Sequence, residues 1–316
     1  VHAAVSLGLL ALTLLALRQA DLRGIGARLA NLPRTTLLVA SLLSLAQALA
    51  MATRLWSVFP HGARPGWAHV ARAFGFGQLA NSCLPGRVGD LIKALAMSRP
   101  SLPSGGTDTA GAMGVMLADK AVDAATLTLL VTAFAPALLA GLAARAYHAT
   151  WIGALAVVLA ALAALALRRA RPAAFREVRR AIAAALQAVR ALMTPRRLFV
   201  ALALGTCAWV AEATSMRVLS APFGLDLSIP QAMVGLLVLN VGIALPVSLA
   251  NLGAYEAATV VGLVPFGATP PQAVAIGAIH HAVQVVAIAL FALTFWLRDR
   301  LTQAAKVAIP TASPAE

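Results

Sequence analysis

Residues 68–97 read AHVARAFGFGQLANSCLPGRVGDLIKALAM. The stretch is long and apolar enough to enter a bilayer, yet Pro85-Gly86 interrupts it near the middle and Arg87, Asp90 and Lys93 follow at once. Proline removes a backbone donor and clashes with the preceding turn, so one continuous helix is disfavoured. The expected form is a re-entrant hairpin or broken helix. Residues 230–266 repeat the pattern, apolar throughout and broken at Pro246 and again at Gly253. Around these two segments lie six stretches that meet or approach the roughly 20 mostly apolar residues a spanning helix needs: 1–17, 35–56, 109–138, 149–167, 198–220 and 271–297.

Composition agrees. Of 316 residues 60% are hydrophobic and 11% charged, against about 25% charged in soluble domains. That excludes an ordinary soluble enzyme, and the apolar content excludes a disordered or collagen-like chain. An all-α polytopic membrane bundle remains: one transmembrane domain over 1–316, with about six full spans and two re-entrant or broken helices. The 25 Lys+Arg outnumber the 11 Asp+Glu, giving +14. They cluster between apolar stretches, where they set topology and meet anionic lipid, so membrane lipid is the expected partner and nucleic acid is not. Arg exceeds Lys by 22 to 3 and Ala is abundant, which points to a GC-rich bacterial genome and to the inner membrane. Cys83 and Cys207 form no framework or metal spacing and read as inert packing residues. Residues 1–17 lack a clear cleavage site, so a signal peptide is not expected.

Residues 168–197 hold nine Arg and one Glu, and such a loop belongs in the cytoplasm. Arg298, Arg300 and Lys306 agree if 198–220 and 271–297 enclose a hairpin. Backwards, 149–167 and 109–138 return the chain to the cytoplasm near Arg87, Lys93 and Arg99. A hairpin at 68–97 then leaves Arg18, Arg23, Arg28 and Arg34 outside, against the rule; a single crossing brings them inside. Charge alone does not decide. An internal repeat favours the hairpin: span, basic linker, span, broken segment, span occurs over 1–138 and again over 149–297. Three crossings per half would invert the halves, a recurring transporter design. The broken segments share vocabulary, Asn81…Leu84-Pro85…Gly89-Asp90 against Asn240…Leu245-Pro246…Gly253…Glu256. Within the basic linker, Phe175, Val178, Ile182, Leu186, Val189 and Met193 fall at helical spacing opposite Arg176, Arg179, Arg180 and Arg190. This reads as an amphipathic interfacial helix on an anionic leaflet, first a topology anchor and second a lipid recruiter.

A charge inside a span costs at least about 2.5–3.5 kcal/mol on insertion scales, so those that persist are paired or functional. Arg87, Asp90 and Lys93 sit where a break frees N–H groups and a half-helix begins, a setting for an anionic headgroup. Arg87 offers two donors to a phosphate and Lys93 a point charge; Asn81 and Asn240 mark the two breaks as headgroup contacts. The alternative is an interfacial dip with solvated charges. Asp119, Lys120 and Asp123 share a face of 109–138, and a self-neutralising Lys120–Asp123 pair is expected. Glu212 and Glu256 are candidates for proton coupling, since burial disfavours a charged carboxyl, and His280 and His281 are candidate partners for Glu256. No Walker loop, H-E-x-x-H, paired-Cys site or G-x-S-x-G elbow occurs, so neither enzymatic catalysis nor a metal or cofactor is expected.

The run Gly77 to Asp90 resembles the lysylphosphatidylglycerol synthase transmembrane (flippase-like) family, whose members show N-x-x-L-P-G-R-x-G-E/D there. Asp119-Lys120-Ala121-Val122-Asp123 is similar to that family's E-R-x-x-D, and Pro246 to Glu256 to its P-x-x-x-G-G-x-G-x-x-E. The resemblance implies about eight membrane segments with re-entrant loops, and movement of lipids between leaflets. In multiple peptide resistance factors this region is fused to a soluble aminoacyl-transferase domain. The 316 residues show none, so lipid aminoacylation is not implied; other single-domain relatives accompany hopanoid or envelope-lipid synthesis. Ala250-Asn251 replace two glycines and His280-His281 stand where an Arg is common, which implies a different substrate. The expected function is translocation of an anionic, aminoacylated or polyprenyl lipid. An ion-coupled transporter of a small solute, or a non-transporting subunit beside a lipid-synthesis enzyme, are the alternatives. If Glu256 carries the coupling proton, Glu256→Gln abolishes pH-dependent transport; unchanged activity across pH removes Glu256 from the mechanism.

Overall fold

A computed structural model describes residues 27, 30–84, 88–98, 108–134, 136, 172–244 and 253–308. Among these the structure is all-helical and contains no strand. The principal helices are α1 (Arg34–Val58), α2 (Trp67–Cys83), α3 (Val88–Met97), α4 (Thr109–Phe134), α5 (Pro172–Leu192), α6 (Pro195–Ser220), α7 (Ile229–Ala244), α8 (Ala254–Leu263) and α9 (Pro270–Ala308). Three are long and apolar enough to cross a membrane: Arg34–Val58, Pro195–Phe223 and Pro270–Thr302. The fourth expected span, 109–138, is the continuous helix α4, but Asp119, Lys120 and Asp123 interrupt its apolar run. The expected spans 1–17 and 149–167 lie outside the described residues, as do Pro85, Gly86, Arg87, Pro246, Ala250 and Asn251.

Both interrupted segments are two helices rather than one. α2 and α3 flank residues 85–87, and α7 and α8 flank 245–252. Close backbone approach holds the first pair together. A Cβ on Gly89 would overlap the carbonyl oxygen of Gly77, so the two half-helices cross with glycine against glycine. At the second break Gly253 takes φ +78°, a left-handed conformation that disfavours a side chain. It is the N-cap of α8, and its N–H donates to Glu256 Oε2 at 2.7 Å.

The surface is inverted relative to a soluble protein. Leu38, Leu42, Leu49 on α1, Leu117 and Leu129 on α4, and Val286, Leu290 and Leu293 on α9 are all exposed, whereas Arg54, Lys93, Glu212 and His280 are buried. Large apolar side chains outside and charges inside suit a lipid solvent. Cys83 and Cys207 are exposed too. Their reading as packing residues is therefore corrected: each lies on an apolar helix, but on its outward side.

α1 packs along α6, α9 lies against α1, α2 and α8, and α4 contacts α7. The end of α1 is tied to the start of α6 by the Arg197 guanidinium, and Arg64, from the connection that follows α1, meets the same carbonyls. Arg197 donates to the carbonyls of Ser57 and Phe59 at 2.8 and 2.7 Å, and Arg64 reaches the same pair at 3.1 and 3.3 Å. These are carbonyls that a helix end leaves without an intrahelical donor. Arg72 pairs with Asp299, and Trp67 meets Phe295 edge-on at 5.4 Å, fixing α2 to the far part of α9. The basic linker helix has two faces. Ile182, Leu186, Val189 and Met193 are exposed, while the Ala181–Ala185 turn packs on Gly114 of α4. Small residues at that crossing let the two backbones approach.

The glycine crossing gives a direct test. Gly89→Val forces α2 and α3 apart, at an expected cost of about 1–3 kcal/mol, read as a lowered unfolding temperature of detergent-purified protein. An unchanged temperature would mean that the half-helices are not held by this contact.

Candidate functional site

The deepest charge in the bundle is one the sequence hides at the end of a span. Arg54 on α1 is 1% exposed and reaches across to α4. Its Nε donates to Asp119 Oδ1 at 2.9 Å and its Nη1 to Asp123 Oδ1 at 2.6 Å. Asp119 and Asp123 are four residues apart and share a helix face, so a single planar guanidinium bridges both. The expected Lys120–Asp123 pair is therefore corrected. Arg54 fits because its fork has enough donors for two carboxylates, and Lys120 instead stands exposed at a cavity wall.

Charge at the first break is likewise internal. Lys93 is 3% exposed; its Nζ lies 2.7 Å from Asp90 Oδ1 and 2.9 Å from Gln78 Oε1. Asn81 Nδ2 donates to the same Asp90 oxygen at 3.0 Å. This corrects two expectations. Lys93 is not solvated, and it is not an open point charge for a phosphate, because Asp90 already neutralises it. Arg87 lies outside the described residues, so its place in this cluster is not part of the geometry.

A second polar cluster joins α1, α6, α8 and α9. Glu212 accepts from Gln47 Nε2 at 2.5 Å and from Gln284 Nε2 at 2.9 Å. Gln284 Oε1 receives the Tyr255 hydroxyl at 3.1 Å, and the same hydroxyl oxygen lies 2.6 Å from His280 Nδ1. His281 stacks on Tyr255 at 4.4 Å, with its Nδ1 4.0 Å from Glu256 Oε1. Of the two expected partners for Glu256, His281 is thus nearby and His280 turns to Tyr255. Glu256 itself is used structurally, capping α8 through the Gly253 N–H. Asn240 gives its amide to the Leu236 carbonyl at 2.9 Å.

These clusters wall a cavity of about 140 Å³. Its polar lining is Ser44, Gln47, Gln78, Ser82, Lys120, Asp123, Glu212, Asn240 and Gln284; Met51, Phe74, Ile243 and Ile288 supply apolar wall. Trp209 also lines it, and its buried indole N–H has no hydrogen-bond partner among the described residues. A donor left in that state is costly unless something in the cavity accepts it. The space can thus take a small polar group against neutral amides and hydroxyls, with one cationic and two carboxylate side chains on the wall.

The model of the family described as "lysylphosphatidylglycerol synthase TM region" matches residues 1–292. The chain belongs to the lysylphosphatidylglycerol synthase TM-region family. Neither a curated relative nor a solved structure matches it. Membership of this family makes it a membrane protein of lipid metabolism or transport.

The residues that carried the family resemblance divide by position. Asp119, Lys120 and Asp123 stand together on α4, two of them gripped by Arg54. Asn81 and Asp90 bond to each other across the first break. Asp123, Lys120, Glu212 and Asn240 reach the cavity; Asp90, Lys93, Glu256, His280 and His281 do not line it. Sequence reasoning missed Arg54, Gln47, Gln78, Trp209, Tyr255 and Gln284. Only Arg54 left a signal, as the one charge within 35–56; amides inside apolar helices draw no attention by composition.

Arg54→Leu leaves Asp119 and Asp123 buried without a counter-charge, expected to cost about 3–5 kcal/mol. The triple variant Arg54→Leu, Asp119→Asn, Asp123→Asn is expected to recover most of it. Thermal unfolding in detergent checks both, and equal losses in single and triple variants would deny that the three act as one unit.

Proposed function

We propose that the chain is a lipid translocase of a bacterial inner membrane, passing a polar headgroup through the cavity between α1, α2, α4, α6, α7 and α9 while the acyl tails stay in lipid. The observation that carries this is a polar-lined space walled by helices whose outer faces carry leucine and valine. Moving a headgroup through hydrocarbon without partners costs several kcal/mol per polar group, roughly 2–7 for an amide or hydroxyl; amides, hydroxyls and charges arranged along a path lower that barrier. No bond is made or broken in this scheme, so the chain acts as a carrier and not as an enzyme.

An inverted repeat fits the packing. α1, the broken pair α2–α3 and α4 follow the same order as α6, the broken pair α7–α8 and α9. α9 lies on α2 while α4 lies on α7, so the third helix of each half meets the broken segment of the other. Alternating access by rocking one half on the other suits such an arrangement. Lys120 is the wall cation for a phosphate, in place of the internally paired Lys93, and Arg87 remains a second candidate. Glu212 faces whatever donor the headgroup bears.

Purified protein in vesicles with a headgroup-labelled anionic phospholipid tests this. The expected result is leaflet exchange well above protein-free vesicles, slowed about tenfold by Lys120→Ala, the equivalent of one charge-assisted hydrogen bond of about 1.5 kcal/mol. Uptake of a soluble solute without lipid exchange would make the chain a secondary transporter instead. Inactivity alone, with firm co-purification of a lipid-synthesis enzyme, would make it an accessory subunit.

A further inference from the structure

The hydrogen bonds around Glu212 have a fixed direction. Gln284 gives its Nε2 to Glu212 and so turns Oε1 toward Tyr255. That oxygen carries no proton, which commits the single hydroxyl proton of Tyr255 to it. The Tyr255 oxygen, 2.6 Å from His280 Nδ1, is then an acceptor, and His280 is the donor. His280 is therefore the Nδ1–H tautomer. Its other nitrogen, Nε2, is buried without a partner among the described residues; as a bare lone pair it is easier to leave unmet than a buried N–H. Every donor in the series His280, Tyr255, Gln284 points toward the cavity carboxylate, and Gln47 completes it from the opposite side.

The two ends of this series differ in kind. Glu212 and Gln284 line the cavity. Tyr255 belongs to the first turn of α8, directly after the Gly253 cap. We propose that Gln284 and Tyr255 are positioning residues that tie the charge on Glu212 to the start of α8, so that a proton or a ligand donor taken up by Glu212 loosens the hold on the second broken helix. Among the described residues, the charged and titratable groups facing Glu212 are Asp123 and Lys120 from α4 and Tyr255 from α8, with Glu256 beside Tyr255 on the same helix. Gln47 from α1 and Asn240 from α7 are neutral, and α9 brings His280 and His281 behind Tyr255. When Glu212 loses its charge it no longer draws both amides. Gln284 is then free to turn over, and the Tyr255 hydroxyl to swing to His280, which needs the other tautomer. Tyr255 keeps one proton throughout; His280 exchanges a proton at Nδ1 for one at Nε2.

The link to transport rests on the translocase reading above; the bonding does not, so the first readout is made without transport. In purified, ¹⁵N-histidine-labelled protein, His280, assigned by loss of its signals in His280→Asn, is expected as Nδ1–H. Gln284→Met keeps the side-chain shape, removes the acceptor, and is expected to switch His280 to Nε2–H. An Nε2–H signal in the unaltered protein, or no change in Gln284→Met, overturns the proposal. The second readout is vesicle lipid exchange in Glu212→Gln, Tyr255→Phe and the double variant. The double variant is expected to be no slower than the slower single one, because both cut the same series. Losses that multiply would overturn the link, while absence of lipid exchange in every protein would sink the translocase reading and leave the tautomer result standing.

Discussion

One guanidinium sets the terms for the bundle. Arg54 lies in an apolar helix, away from water, and bridges Asp119 and Asp123 on a neighbouring helix. In hydrocarbon every polar group has to be met from within the protein, since no water stands ready. That constraint turns an isolated charge into a fastener. α1 and α4 are joined where dispersion alone would tell one lipid-facing surface little from another. Two carboxylates against one guanidinium also leave that cluster short of a positive charge, and Lys120 stands at the adjoining cavity wall.

The same constraint explains why polar groups collect at the breaks. Interrupting a helix frees backbone groups that must find partners. At the first break Asp90 takes Lys93 and the Asn81 amide N–H, and Gln78 takes Lys93, while the buried Asn81 Oδ1 finds no partner among the described residues. At the second, Glu256 takes up the Gly253 N–H. Asp90, Lys93 and Glu256 are thus engaged internally and stand behind the cavity, while Gln78 reaches its wall. The open chemistry is left to amides, serines, Lys120, Asp123 and Glu212.

Much of the fold was legible in the sequence because it is written in long apolar runs and prolines. The boundaries of α1 and α6 and the start of α9 lie close to those of 35–56, 198–220 and 271–297, α9 running on past 297 to Ala308, and both interruptions fall between separate helices. The site was legible only in part. Intramembrane charges announce themselves, so Asp119, Asp123 and Glu212 were found, but their partners come from helices distant in the chain: Arg54 lies 65 residues before Asp119 and Gln284 lies 72 after Glu212. Nearness in sequence suggested Lys120 for Asp123 and Lys93 as a point charge for an anion. Tertiary packing chose otherwise, because a buried pair is decided by donor geometry across helices and not by spacing within one.

The central claim is that an aqueous, polar space lies inside this bundle, and thiol labelling in intact membranes tests it most directly. With Cys83 and Cys207 replaced by Ser, single cysteines at Ser44 and Asn240 face the cavity, while one at Leu290 faces outward. A charged, membrane-impermeant thiol reagent is expected to modify the first two and spare the third. Modification at Leu290 with none at Ser44 and Asn240 would contradict the account.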